Sequence, residues 1–405
     1  MTSKIHLWME NRVDKDGFTV ARATIEKRNQ ERIFLWYKVP VEYRHLLTKS
    51  CDPFVVGTIF SAMGESLDLI VHGEVSPSLL RNMDEFQEAW MCWLPHRYSK
   101  IEITADVEKE QAKANSDAAI VTFSGGVDSC FTAWRHKKGA CGRLKQDLQT
   151  GLMIQGFDIP LDQDDVFKRA ANKSKTLLNS LDIEMIPMAT NFKEIGRLWT
   201  DTHGAGIASC LMMLQGGFSK GLIGSSAPYN RLHVPFGSNP VTDHLFSSDS
   251  FRILHDGAAY IRREKIREIS EWQEAWKLLR VCYEGTEHDR NCGRCEKCIR
   301  TILSFRVMGF GLPECFEQDV KDDQILTLNR LQDNILYYLE EILCQARKLS
   351  IAESWVNALN KCVKRNRRAL NIEQRFIHRI RKKVAFRTRL RKLMKGRHNK
   401  QTQLI

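Results

Sequence analysis

The chain has 405 residues, 43% hydrophobic and 27% charged, with a net charge of +12. That balance argues against a disordered chain, and no apolar run approaches the ~20 residues a membrane-spanning helix needs. Nor is the basicity general: Lys361 to Ile405 holds 17 Lys and Arg against one acid, Glu373, a local +16 that leaves the rest at −4. The opening MTSKIHLWMENR is polar and lacks an apolar h-region, so no secretory leader is expected and the cytoplasm is the expected compartment. Arg32 to Val41 reads as a strand closed by a proline. Asp52-Pro53 supplies an N-cap and an N1 proline for a helix through Phe54–Glu65. A strand over Asp68–Val75, a helix from Ser76 or Pro77 to Trp90 and an alternating strand over Lys100–Val107 complete residues 1–107, expected as an accessory α+β domain. The polar stretch 108–117 reads as a linker.

Beyond it strands and helices alternate: strand 118–123, helix 128–138, strand 150–157, helix 163–180, strand 183–188, helix 203–215 and strand 220–224. This order predicts an α/β fold with a parallel sheet and helices on both faces over 118–281. A cysteine-rich segment follows at 282–310, then a helical region at 311–360 with an amphipathic period across 323–347, then the basic tail at 361–405. The tail is compatible with nucleic acid, an anionic membrane or plain solvent as its surroundings.

Two motifs carry chemistry. IVTFSGGVDS, residues 120–129, is a buried strand that breaks into a Ser-Gly-Gly turn and continues as a helix. Gly125 and Gly126 let the backbone take positive φ and approach a phosphate. The amides after them, Val127 included, open a helix whose dipole favours an anion. Ser124 and Ser129 add hydroxyls, and Asp128 offers a carboxylate to a nucleotide's Mg²⁺. The Lys of the G-x-x-x-x-G-K-[ST] loop is missing. Asp158 and the run Gly224-Ser225-Ser226 follow other strands and are expected to border the same crevice. The second motif, Cys282, Cys292, Cys295 and Cys298, has the thiolates for a closed tetrahedral Zn²⁺ site, a structural one because no position is left open. Iron–sulfur ligation and a redox disulfide stay open at this point.

The SGGxDS string resembles the loop of the PP-loop ATP pyrophosphatase superfamily. Paired with Cys282-Tyr283-Glu284-Gly285 and Cys292-Gly293-Arg294-Cys295-Glu296-Lys297-Cys298, it is similar to the 7-cyano-7-deazaguanine synthase family across about residues 118–310. That resemblance implies a Rossmann-like (HUP-type) sheet, ATP with Mg²⁺, a structural zinc, and catalysis by Asp128, Ser129 and Lys265. It further implies adenylation of a substrate carboxylate, release of pyrophosphate and transfer to ammonia or an amine. The chain departs from the family in its first hundred residues, in its tail, and in PYNRLHVPFGSNPVTD where the family's substrate stretch would lie. Arg262, Arg263, His203, Asp249 and Asp256 are secondary candidates. A tRNA-thiolating PP-loop enzyme and a non-catalytic, zinc-stapled nucleotide- or nucleic-acid-binding module are the alternative readings. The expected partners are a small or macromolecular carboxylate and an amine donor, with homo-oligomerisation as the expected assembly.

Overall fold

A computed structural model describes residues 4–27, 31–195, 198–282, 284, 287–372 and 375. The tail beyond 375, and Tyr283 and Gly285 of the second motif, lie outside the described residues. The chain divides into two compact units, 1–319 and 320–405.

Eleven described strands of the first unit join into one sheet: β1 (Lys4–Met9), β2 (Val13–Lys15), β3 (Phe18–Glu26), β4 (Arg32–Pro40), β5 (Asp68–Val75), β6 (Ile103–Glu108), β7 (Ala119–Thr122), β8 (Leu148–Gln155), β9 (Glu184–Thr190), β10 (Lys220–Gly224) and β11 (Arg252–Asp256). Their order is β11-β10-β7-β8-β9-β4-β3-β1-β5-β6, with β2 on β3. The ladders of β7 through β11 are all parallel. They are joined antiparallel to β4 by Tyr37–Thr190 and Lys38–Ala189. Residues 1–107, expected to stand apart, therefore extend the sheet that 118–256 begins. The join is covered from one side. Helix α1 (Asp52–Glu65), which follows the N-terminal hairpin, packs on α6 (Trp199–Met212) of the other half.

Strand chemistry differs between the halves for a physical reason. Ala119, Ile120 and Val121 of β7 are fully enclosed, and helices cover β7 on both faces, so the strand is a continuous apolar run. In β3 and β4 every second side chain is buried, Thr19, Ala21 and Ala23 facing Val39, Tyr37 and Leu35, and the intervening residues are more exposed. That alternation is plain in FTVARATIE, yet β1, β2, β3 and β11 were not anticipated.

Seven more described helices complete the unit: α2 (Pro77–Trp93), α3 (Val127–Lys138), α4 (Asp164–Asn179), α5 (Phe192–Ile195), α7 (Arg262–Ile269), α8 (Gln273–Leu278) and α9 (Glu296–Val307). Asp52 does not cap its own helix, where Cys51 takes the N-cap position. Buried, it accepts from the Ser76 amide at 2.8 Å and the Ser76 hydroxyl at 2.7 Å, tying α1 to the start of α2.

The second unit is helical. The single amphipathic helix expected across 323–347 is two, α10 (Asp322–Thr327) and α11 (Asp333–Lys348), and residues 354–372 are also helical. Leu328 and Leu331 lie between the first two, and the Asn366 amide bonds the Leu328 carbonyl and Leu331 N–H there, at 2.8 and 3.2 Å. No described helix is long and apolar enough to cross a membrane.

Candidate active site

From β7 the chain moves to β8 and β9 on one side, then returns to place β10 on the other side of β7. Sheets of this kind open a crevice at the carboxyl ends of the strands where the order reverses. A cavity of about 370 Å³ lies there, floored by Thr122 to Ser124 after β7, by Leu152 to Ile154 of β8, and by Ile223 and Gly224 of β10. Phe157, Trp199, Ile207 and Phe236 form its apolar wall, while Asp128, Ser129, Asp158, Arg280 and Lys297 carry its polar chemistry.

The glycine turn is local chemistry made visible. Gly125 has φ +74°, a conformation that favours glycine, whereas Gly126 sits at φ −84° as the N-cap of α3 and needs no such freedom. The Ser129 hydroxyl donates to the Gly126 carbonyl at 3.1 Å, closing the first turn, and Ser124 Oγ lies 3.4 Å from Ser129 Oγ. Val127 is buried in the core, so its contribution to the mouth is its backbone. The first amides of α3 have no intrahelical acceptor, and Asp128 and Ser129 of that turn line the cavity. Gly224 is required on a different ground. A Cβ there would stand 2.9 Å from the Asp128 carbonyl oxygen, so β10 and the first turn of α3 approach as closely as they do because it has none.

Asp128 lines the cavity with its side chain 24% exposed. Arg262 Nη1 meets Oδ2 and Lys265 Nζ meets Oδ1, each at 3.0 Å. Burial works to raise its pKa, but Lys265 and Arg262 outweigh it and hold the carboxyl below the usual range. Lys265, expected at the phosphates, is 2% exposed and also donates to the Ser225 carbonyl, so it stands behind Asp128. Ser225 turns its hydroxyl to the Ala227 carbonyl at 2.7 Å; Ser226, its neighbour, lines the cavity in its place.

Asp256 does not line the cavity and braces α3 instead. Thr132 donates to it at 2.9 Å, His136 Nε2 lies at 3.2 Å and Arg135 at 3.7 Å, which together overcome the effect of burial and depress its pKa. Asp249 is held through its amide by Ser78 Oγ at 2.9 Å and does not line the cavity.

Arg280 and Lys297 were missed in the sequence, and both reach the loop from far along the chain. The Arg280 amide donates to the Gly125 carbonyl at 2.8 Å, its Nε donates to the Ser124 carbonyl at 3.1 Å, and its Nη2 lies 3.7 Å from Asp158. Lys297 enters the cavity from the cysteine segment. No spacing rule announces either one.

The four thiols converge. All Sγ atoms of Cys282, Cys292, Cys295 and Cys298 lie within 4.8 Å of one another, with Cys282–Cys295 at 3.8 Å and Cys292–Cys298 at 3.9 Å. A tetrahedral ion with Zn–S bonds of ~2.3 Å sets its sulfurs about 3.8 Å apart. The amides of Arg294 and Cys295 donate to Cys292 Sγ at 3.4 and 3.3 Å, across a turn in which Gly293 has φ +69°. The donor set and spacing fit one metal ion such as zinc. All four cysteines are free thiols, so the disulfide alternative is not realised.

His203 is half-buried beside Trp199 and Phe236 and lines the cavity, with Nδ1 3.0 Å from the Trp199 carbonyl. A carbonyl only accepts, so Nδ1 carries the proton of the neutral ring. Burial lowers its pKa below the ordinary value. The unfolded chain therefore takes up this proton first, and stability attributable to His203 is complete above about pH 6.5 and declines as pH falls below it. Melting temperatures followed from pH 7.5 to 5.5 are expected to fall more steeply in the wild type than in His203→Gln. Parallel slopes would remove this assignment.

Comparison of the chain with protein-family models, curated proteins and solved structures gave no match.

Proposed function

We propose that the chain is an ATP-dependent enzyme of the PP-loop type, similar to 7-cyano-7-deazaguanine synthase, that adenylates a carboxylate and passes the acyl group to ammonia or an amine. The observation that carries this reading is the placement of the Ser124–Ser129 turn. It lies at the reversal point of the parallel strands, opens a helix into a cavity, and is surrounded by Arg262, Lys265, Arg280 and Lys297 against Asp128 and Asp158. Such an excess of cations around helix-start amides suits a polyanion. The strand order β9-β8-β7-β10-β11 supports a Rossmann-like sheet, and ligands of such sheets sit where this cavity lies.

On this reading the outer two phosphates of ATP rest on the amides of residues 125–129. A substrate carboxylate oxygen attacks the α-phosphorus, the bond from that phosphorus to the bridging oxygen breaks, and pyrophosphate leaves. The amine nitrogen then attacks the acyl carbon, AMP departs, and the nitrogen's proton goes to solvent. This chain's residues act by position and charge: Arg280 fixes the loop backbone, Ser129 closes it, and the Lys265–Asp128–Arg262 cluster sets the potential at its base. Mg²⁺ would travel with the nucleotide and neutralise phosphate oxygens, and a zinc ion on the four cysteines would hold the 282–298 segment. Asp128 offers lone pairs beyond those used by its two cations, which is the basis for giving it the Mg²⁺ role. The apolar wall of Phe157, Trp199 and Phe236 suits a flat organic group.

The thiolating alternative calls for a persulfide-carrying or iron–sulfur cysteine; no cysteine is among the described residues lining the cavity, and iron rather than zinc on the four cysteines would favour it. The test is product identity. Purified protein with α-labelled ATP, ammonia and a panel of carboxylates including 7-carboxy-7-deazaguanine should form AMP and pyrophosphate with the right acid. Formation of ADP and phosphate would contradict the reading.

A further inference from the structure

We infer that Lys297 is the cation that meets the anionic ligand directly, and that the cysteine turn exists in part to deliver it there. The inference rests on the nucleotide reading above. Lys297 lies between two of the thiols, Cys295 and Cys298, whose sulfurs belong to the four-thiol cluster. Cys295 is the N-cap of α9, so Lys297 occupies the first turn of that helix, and it lines the cavity that Ser124 and Ser129 also line.

The cations near the loop divide by position. Lys265 and Arg262 hold the two oxygens of Asp128 from behind, and neither lines the cavity. Arg280 lines it, but its guanidinium is spent on the protein itself: it holds the Ser124 carbonyl and donates to the His288 carbonyl at 3.0 Å. Lys297 also lines the cavity, where Asp158 and Asp128 attract it and Arg262 and Arg300 repel it. A flexible ammonium on a rigid turn is suited to exchanging carboxylate neighbours for a phosphate oxygen, because its three donors need no fixed fork geometry.

A metal on the four thiols fixes both ends of this delivery. Cys282 lies two residues after Arg280, which is bonded to the loop backbone, and Cys295 and Cys298 flank Lys297. One ion therefore sets the loop clamp and the cation that faces the ligand in register. This adds a positioning role to the structural one expected of a closed four-cysteine site.

The experiment is binding of MgATP to the purified full chain by calorimetry, with metal content and melting temperature recorded for each variant. Lys297→Gln is expected to weaken binding at least tenfold with metal content and melting unchanged. Lys297→Arg should restore most of the affinity. Arg294→Gln, which removes an exposed cation from the same turn, should bind as the wild type does. Wild-type affinity in Lys297→Gln, or an equal loss in Arg294→Gln, would overturn the inference while leaving the nucleotide reading intact. A wild-type protein that binds no MgATP would overturn both.

Discussion

Asp128→Ala is expected to abolish pyrophosphate formation and to destabilise the first unit at the same time. Removing the carboxylate leaves Lys265, 2% exposed, and Arg262, 10% exposed, facing each other without their shared counter-ion. Breaking a buried ion pair costs about 3 kcal/mol even at the low end of its range, and the partial exposure of Asp128 places it there. A loss of activity in this variant alone would therefore be ambiguous. The informative series is Asp128→Asn, Lys265→Met and the double variant, analysed as a cycle. The double variant should recover part of the stability lost by either single change, since the more deeply buried Lys265 charge is gone and only Arg262, 10% exposed, is left without its counter-ion. It should recover no turnover. Full ATP turnover in Asp128→Asn would show that the carboxylate has no part in the chemistry.

The pH dependence at the acid end follows two carboxylates. Asp128 and Asp256 both have depressed pKa values, so the unfolded chain binds their protons first as pH falls. Their contribution is complete above the unfolded carboxylate value of about 3.9 and is lost below it.

Removing the metal is the second large effect. Purified protein should carry one ion per chain, and Cys298→Ser should lower that to a small fraction. Cys298 is wholly buried, so the variant leaves three crowded thiols and a hydroxyl with no ion to close them. Structural zinc sites supply roughly 10–16 kcal/mol of apparent binding free energy in small domains. Only part of that is needed to hold one segment of a larger unit; a loss of about 3 kcal/mol would lower the melting of a unit this size by roughly 4–5 °C. Metal-free protein with unchanged melting would show that the cluster binds nothing of structural consequence. Iron in place of zinc at one equivalent per chain would fit the same sulfur spacing and change none of the geometry.

What the sequence revealed and what it hid divide by range. The Ser-Gly-Gly turn and the cysteine quartet are each confined to a short stretch, where backbone constraint and ligand type leave a residue signature. Positive φ at Gly125 and convergence of the four thiols follow from that local chemistry. Arg280 and Lys297 lie more than 150 residues from Ser124, and only the parallel sheet brings them to it. Lys265 is expected at the phosphates because its stretch resembles the family's, whereas the folded chain pairs it with the Asp128 carboxylate. Ser225 and Ser226 differ only by one position, and the peptide turn after β10 decides which one faces the cavity. The N-terminal strands carry a clear two-residue alternation. What sequence could not reveal was the antiparallel join of β4 to β9, which makes one sheet of two expected domains.

The most direct test of the account is a crystal structure of the protein with α,β-methylene-ATP and Mg²⁺. The account predicts the β- and γ-phosphates on the amides of residues 125–129, with the adenosine directed toward the apolar wall formed by Phe157, Trp199 and Phe236. Phosphates bound away from that turn, or a cavity that stays empty at saturating nucleotide, would contradict it.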